Sequence, residues 1–289
     1  MNDYKIIIDA SCDMNNDFRK QYGIDVIPMP IYLNDKEYEV NADTRLQDEK
    51  EYYKMLKNGA LSTTSQVAPA EYEKIFSDYV KRGISVLYLC LSSGLSSTYG
   101  SAVLSAEEVS GESGGASIKV FDTLSATCGI GTLVHMAVIN KNKGMGIEEN
   151  YEKLISIRDN INIIFMVDDL MYLKRGGRLS AGAAIIGSAL KVKPILKINV
   201  DGKLEIIDKK RGVKVVAEKL VEIFKKKNGF ENEFIYINHS GDGESLKLLK
   251  NKILETGYKG KIYEEYLTPI IGCHTGFGYM ALCFVGDKK

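Results

Sequence analysis

The sequence has no net charge, only three histidines, and five cysteines that never fall into a Cys-x-x-Cys spacing. Each shortage excludes something. With 38 Lys and Arg set against 38 Asp and Glu, nothing global favours nucleic acid or a membrane surface as a partner. Cys12, Cys90, Cys128, Cys273 and Cys283 are dispersed and odd in number. They read as reduced, mostly core thiols, which argues against structural zinc and against a disulfide framework. The Met1–Ile8 start carries one short apolar run, too short for a signal peptide or a span, so the expected location is the cytoplasm, without membrane insertion. Internal repeats and low-complexity segments are missing. So are Gly-x-x-x-x-Gly-Lys-Ser/Thr and Gly-x-Gly-x-x-Gly, which weighs against a standard nucleotide fold.

What is present alternates. A chain of 289 residues is long enough for two domains. Apolar strands are expected at Lys5–Ile8, Val26–Leu33 (broken by Pro28 and Pro30), Val86–Leu91 and Ile118–Phe121. Helices are expected near Gln47–Lys57, after Pro69, from Thr98, over Gly129–Asn142 and over Ile147–Asp159. Asn34–Arg45 reads as a polar loop. This pattern predicts an α/β domain over residues 1–159, built on a doubly wound, mostly parallel sheet. Asp201-Gly202 between two apolar runs then signals a hairpin, a device foreign to the first half as read here. Residues 160–289 are accordingly expected to form an α+β domain with a mixed sheet. Within it, Ser180 caps a strongly apolar helix, Ala181–Leu190.

The chain's centre of gravity is the stretch from Leu87 to Ala102, an apolar strand running into Ser92-Ser93-Gly94-Leu95-Ser96-Ser97 and then a helix. Free amides and a positive dipole end gather at such a junction and favour a small anion, with Ser93, Ser96, Ser97 and Thr98 as further donors. A plain helix cap explains the same residues. A second hydroxyl cluster, Ser62 to Ser65, exceeds what one cap can use. Asp9–Asp13 and Asp122–Ser125 also follow strands and would share one rim with Ser92–Ser97, as crevice residues or as turns. Of the histidines, His135 reads as core and His239 as a turn residue. His274, between Gly272 and Gly276, is either a turn residue or a donor in a cleft. Asp168-Asp169 fits an N-cap better than a metal pair. A serine hydrolase needs a base near its nucleophile, and Gly94-Leu95-Ser96-Ser97-Thr98 is not Gly-x-Ser-x-Gly. A hydrolase or transferase built on Ser96 and His274 is the rival reading. Between Asp168 and Phe230 stand 15 Lys and Arg against seven Asp and Glu, a solvated face or a docking surface.

Taken in order, these segments resemble the DegV family, the fatty-acid-binding subunits that serve bacterial fatty acid kinase. The resemblance rests on Asp9-Ala10-Ser11-Cys12-Asp13, Thr64-Ser65-Gln66, Ser92-Ser93-Gly94-Leu95-Ser96-Ser97-Thr98-Tyr99, Gly176-Gly177-Arg178, Lys210-Arg211-Gly212 and Gly272-Cys273-His274-Thr275-Gly276. It implies a carrier and not an enzyme, with no cofactor and a long-chain fatty acid between the two domains. The carboxylate would be held by Thr64 and Ser96, with Ser65, Ser93, Thr98, Arg211, His274 and Thr275 in or near the same polar site. Arg175 and Arg178 would contact a kinase that phosphorylates the bound acid. Ala181–Leu190, Ile195, Leu196 and Phe277 are where the tail wall is expected. Phe277, at a position where the family commonly has Pro, would shorten that pocket, and Ser97 would add bulk near the head group.

Overall fold

The computed structural model describes residues 4–41, 49–110, 115–179, 192–241 and 243–289. Three sheets organise them. β1 (Tyr4–Asp9), β2 (Asp25–Ile27), β6 (Ser85–Cys90) and β7 (Ile118–Asp122) form a parallel sheet in the order β2-β1-β6-β7. β1 and β6 lie at its centre. Their unbroken β-branched and leucine runs follow from burial on both faces, where no polar alternation is needed. Beside it, β3 (Met29–Leu33), β4 (Lys36–Val40) and β5 (Ser62–Thr64) make a small antiparallel sheet in the order β4-β3-β5. Pro28 is the break between β2 and β3, so the expected Val26–Leu33 strand is two strands in two sheets. The loop expected over Asn34–Arg45 is in part β4. Asn34 and Asp35, both at positive φ (49° and 63°), close a two-residue hairpin, so hairpins are not foreign to this half.

Among the described residues from Ile161 onward, every strand joins a six-stranded mixed sheet. It contains β8 (Ile161–Met166), β9 (Val192–Ile198), β10 (Leu204–Arg211), β11 (Phe234–Ser240), β12 (Lys261–Tyr266) and β13 (Tyr279–Val285), in the order β10-β9-β8-β13-β11-β12. Only the β11–β12 pair is parallel. Period-two alternation sorts its side chains. Ile163, Phe165, Tyr279 and Ala281 face the first half, while Ile164, Met166, Met280 and Leu282 pack beneath α8 (Val213–Lys226) and α9 (Glu244–Leu254). The helix expected over Ala181–Leu190, with its Ser180 cap, falls outside the described residues.

The remaining helices are α1 (Asn16–Gln21), α2 (Glu49–Lys57), α3 (Pro69–Val80), α4 (Thr98–Ser110), α5 (Thr127–Asn142), α6 (Ile147–Arg158), α7 (Met171–Arg175) and α10 (Pro269–Thr275). α5 packs against both large sheets, touching β1 and β6 on one side and β8, β11 and β13 on the other. Twelve of its 16 residues are buried, as a helix with protein on all sides requires. Among the described residues no helix is long and apolar enough to cross a membrane.

Buried hydrogen bonds join the halves. Asp13 accepts from the Thr268 amide (2.7 Å) and from Asn238 Nδ2 (2.8 Å), and Thr268 Oγ1 donates to the Ala10 carbonyl (2.8 Å). Tyr53 donates to the Leu267 carbonyl (2.9 Å) and Tyr172 to the Leu56 carbonyl (2.8 Å). Asp9 is also spoken for. It accepts from Ser11, from the Tyr88 hydroxyl (2.9 Å) and from the Leu91 amide (3.0 Å), which ties β1 to β6. The first strand-end loop is therefore structural: neither carboxylate lines the principal cavity.

Candidate functional site

A cavity opens between the halves. It offers about 130 Å³ to the centres of water-sized spheres, roughly ten times what one water needs, so it is more than a packing defect. Its polar part gathers four segments. Thr64, Ser65 and Gln66 leave β5, Ser96 and Ser97 belong to the loop after β6, Arg178 follows α7, and His274 and Thr275 end α10. Its apolar part is supplied by Leu91 and Leu95 from the first half, Ile163, Phe165, Ile198 and Leu204 from the inner face of the large sheet, and Ile270 and Ile271 from α10.

Local chemistry places these groups. The Ser92–Ser97 loop folds against the β9–β10 hairpin, with the Ser92 hydroxyl donating to the Gly202 carbonyl (2.8 Å). Gly94 is required there, since a Cβ would stand 2.6 Å from the Asp201 carbonyl oxygen. Ser92 N donates to the Ser125 carbonyl and Ser93 N to Asp122 Oδ1, so the strand-end loops do share a rim. Ser96 Oγ lies 2.8 Å from Thr98 Oγ1 and accepts the Thr98 amide (3.2 Å), so it caps α4 while it faces the cavity.

Of the two readings open for His274, a turn residue or a donor in a cleft, the structure gives it a place on the cavity, in the last turn of α10, which Pro269 opens. Its Nε2 is 3.0 Å from Thr64 Oγ1. The Nδ1 edge of its ring points at Gly176, where a Cβ would come within 2.3 Å of Nδ1. Burial, helped by the nearby Arg178 charge, lowers the His274 pKa to about 4, so the imidazole is neutral at pH 7. Arg178 donates from Nε to the Leu95 carbonyl (3.1 Å) and from Nη1 to the Gly176 carbonyl. The site thus joins one fixed cation to neutral hydroxyls and a neutral imidazole, a set suited to gripping a carboxylate. It is a poor hydrolase. Ser96 Oγ is bonded to Thr98 and His274 Nε2 to Thr64, so nucleophile and base are each committed elsewhere.

Not every expected residue joins this group. Ser93 is exposed, and Thr98 is buried behind Ser96; neither lines the cavity. Arg211 does not reach it. Leu204, where β10 meets the cavity, and Arg211, at the exposed far end of that edge strand, are roughly 20 Å apart along the strand. Arg178 supplies the cation instead. It was expected on a docking surface, but the turn at Gly177 (φ 71°) carries its guanidinium inward. Arg175 stays exposed, stacked on Tyr172 at 4.6 Å. The tail wall also differs from expectation. Ile195 faces α8 on the other side of the sheet, and Leu196 is core without lining the cavity. Phe277 sits in a separate groove under Lys57 and shortens nothing. Ser97 lies at the exposed mouth.

The other candidates are structural. His135 stacks on Phe234 (3.9 Å between centroids) and meets the Tyr236 hydroxyl at 3.3 Å. His239 is a buried residue within β11 and not in a turn. Asp169 accepts the Met171 amide (2.8 Å) and Asp168 pairs with Lys193 (2.7 Å). All five cysteines are buried free thiols, and among the described residues no cluster could hold a metal.

One consequence is a pH dependence of stability. Burial lowers the His135 pKa to about 4 as well. Unfolded, both rings titrate near the ordinary histidine value, so between about pH 6.5 and 4 the unfolded chain holds protons that the folded chain refuses. Stability is therefore expected to fall as pH drops through that window, by at most roughly 3 kcal/mol per ring. Urea unfolding at pH 7 and pH 5 measures it. A His135→Phe variant should show a shallower slope, and an unchanged slope would contradict the assignment.

Residues 3–287 match the family model described as the DegV family. A DegV domain-containing protein of Clostridium perfringens is 36% identical over 290 residues, taking in 100% of this chain and 99% of the relative. Among solved structures, a DegV family protein from Thermus thermophilus described for its fatty acid binding is 27% identical. It superposes with a TM-score of 0.87 over 98% of this chain and 99% of that one. A fatty acid binding DegV family protein from Streptococcus agalactiae is also 27% identical, with a TM-score of 0.87 over 100% of both chains. Matched in family, relative and fold from end to end, the chain belongs to the DegV family.

Proposed function

We propose that this protein binds a long-chain fatty acid in the cavity between its halves and presents the head group to a fatty acid kinase in the cytoplasm. The observation that carries this reading is a cavity with an apolar wall and one polar end, where Thr64, Ser65, Ser96, His274 and Thr275 surround a single arginine, Arg178. Burying a methylene stabilises by about 0.8 kcal/mol, so a chain of about sixteen carbons contributes on the order of 10 kcal/mol before ordering costs. Affinity comes from the tail, and the hydroxyls and imidazole fix orientation. A site that binds without cleaving matches relatives described as fatty acid binding.

Arg175, exposed beside the polar end, is the arginine left to meet a kinase. Titration of delipidated protein with palmitate and oleate should show one saturable site. Arg175→Glu should leave that affinity unchanged while slowing phosphorylation of the bound acid several-fold. A chain that stays empty when offered both acids refutes the carrier reading. Equal loss of binding and phosphorylation would show that Arg175 only supports the fold.

A further inference from the structure

The polar end is not the only polar feature of the cavity. Thr127 and Tyr279 also line it, away from the head-group segments, at the start of α5 and of β13. Both are almost fully buried, at 2% exposure each. The cavity wall beside them is apolar: Tyr279 packs on Phe165 (5.4 Å between centroids), with Ile163 and Ala126 in the same wall. The one side-chain hydrogen bond of the Thr127 hydroxyl among the described residues runs to the Cys128 thiol at 3.7 Å, a weak acceptor. Two buried hydroxyls side by side in the wall, one of them so weakly engaged, keep a donor for a third atom. Thr127 is moreover β-branched and held at φ 50°, a conformation such residues avoid. Strain of this kind persists where the surroundings impose it, and it collects at ligand sites.

We propose that the Thr127–Tyr279 pair is a second polar subsite within the acyl wall, and that the preferred ligand is a long-chain acid bearing a hydroxyl or keto oxygen along its chain. This rests on the fatty-acid reading above. A saturated chain leaves the pair facing methylenes, whereas an oxygen at the matching depth completes its hydrogen bonding. One such bond is worth about a factor of five or more in affinity. Because the carboxylate is anchored at Thr64, His274 and Arg178, the depth of the pair selects the position of the oxygen.

The test titrates delipidated protein with stearate and with a set of monohydroxystearates substituted at C2, C10 and C12. At least one isomer should bind five-fold or more tighter than stearate. That preference should vanish in Tyr279→Phe, which keeps the ring. It should vanish too in Thr127→Gly, which removes the hydroxyl and also suits the positive φ. Unfolding midpoints close to that of the parent would show that both variants fold. If stearate binds but no isomer gains, or if the gain survives both substitutions, the subsite is refuted while the carrier stands. If stearate itself does not bind, the carrier reading fails with it.

Discussion

Alanine in place of Gly176 is expected to weaken palmitate binding at least ten-fold while leaving the protein folded. Gly176 ends α7 with φ −70° and ψ −7°, a conformation every residue accepts, so the backbone does not object. The imidazole does. A Cβ there would stand 2.3 Å from His274 Nδ1 and 3.2 Å from Cε1, well inside contact distance. The ring must move, and it cannot do so and keep its 3.0 Å contact with Thr64 Oγ1. The order that the imidazole imposes on Thr64 is lost, and with it the grip proposed for the carboxylate. The loss should read as lower affinity in a titration, with an unfolding midpoint close to that of the parent. Affinity within two-fold of the parent would mean that the imidazole does not hold the head group.

Asp13→Ala should cost about 3–5 kcal/mol of stability, the largest effect of any single polar change considered. Its carboxylate is fully buried and receives the Thr268 amide, just past β12, and Asn238 Nδ2 from β11. Removing it strands two buried donors in the seam that joins the halves. Asn238 also accepts from the Cys128 thiol (3.4 Å), so the damage spreads into the first turn of α5. Urea denaturation measures it, and a loss below 1 kcal/mol would show that the seam relaxes around the gap.

These two residues mark the limit of what the chain discloses by itself. Strands such as Ser85–Cys90 and helices such as Pro69–Val80 were legible because apolar periodicity is local. Asp13 was not, because its partners lie more than 200 residues away, and a carboxylate after a strand looks the same whether it binds ligand or clamps a seam. β4 was readable in principle: Asn34-Asp35 is a turn dipeptide, but the charged residues around it masked the strand. Likewise Thr268-Pro269 announces the helix that presents His274, a signal outweighed by its glycines. Arg178 lines the cavity and Arg211 does not, for a geometric reason. A basic side chain in a polar loop carries no sign of which way the loop turns, and Gly177 decides that only in three dimensions. Thr127 offered no local signal, since nothing in a helix start foretells its positive φ.

The account depends on a lipid being held without being changed. Native mass spectrometry of the protein purified from bacterial cells tests this most directly. The expected spectrum shows the chain mass plus that of one long-chain fatty acid, released intact on denaturation. A spectrum of the bare chain alone, unaltered after incubation with palmitate and oleate, would contradict it.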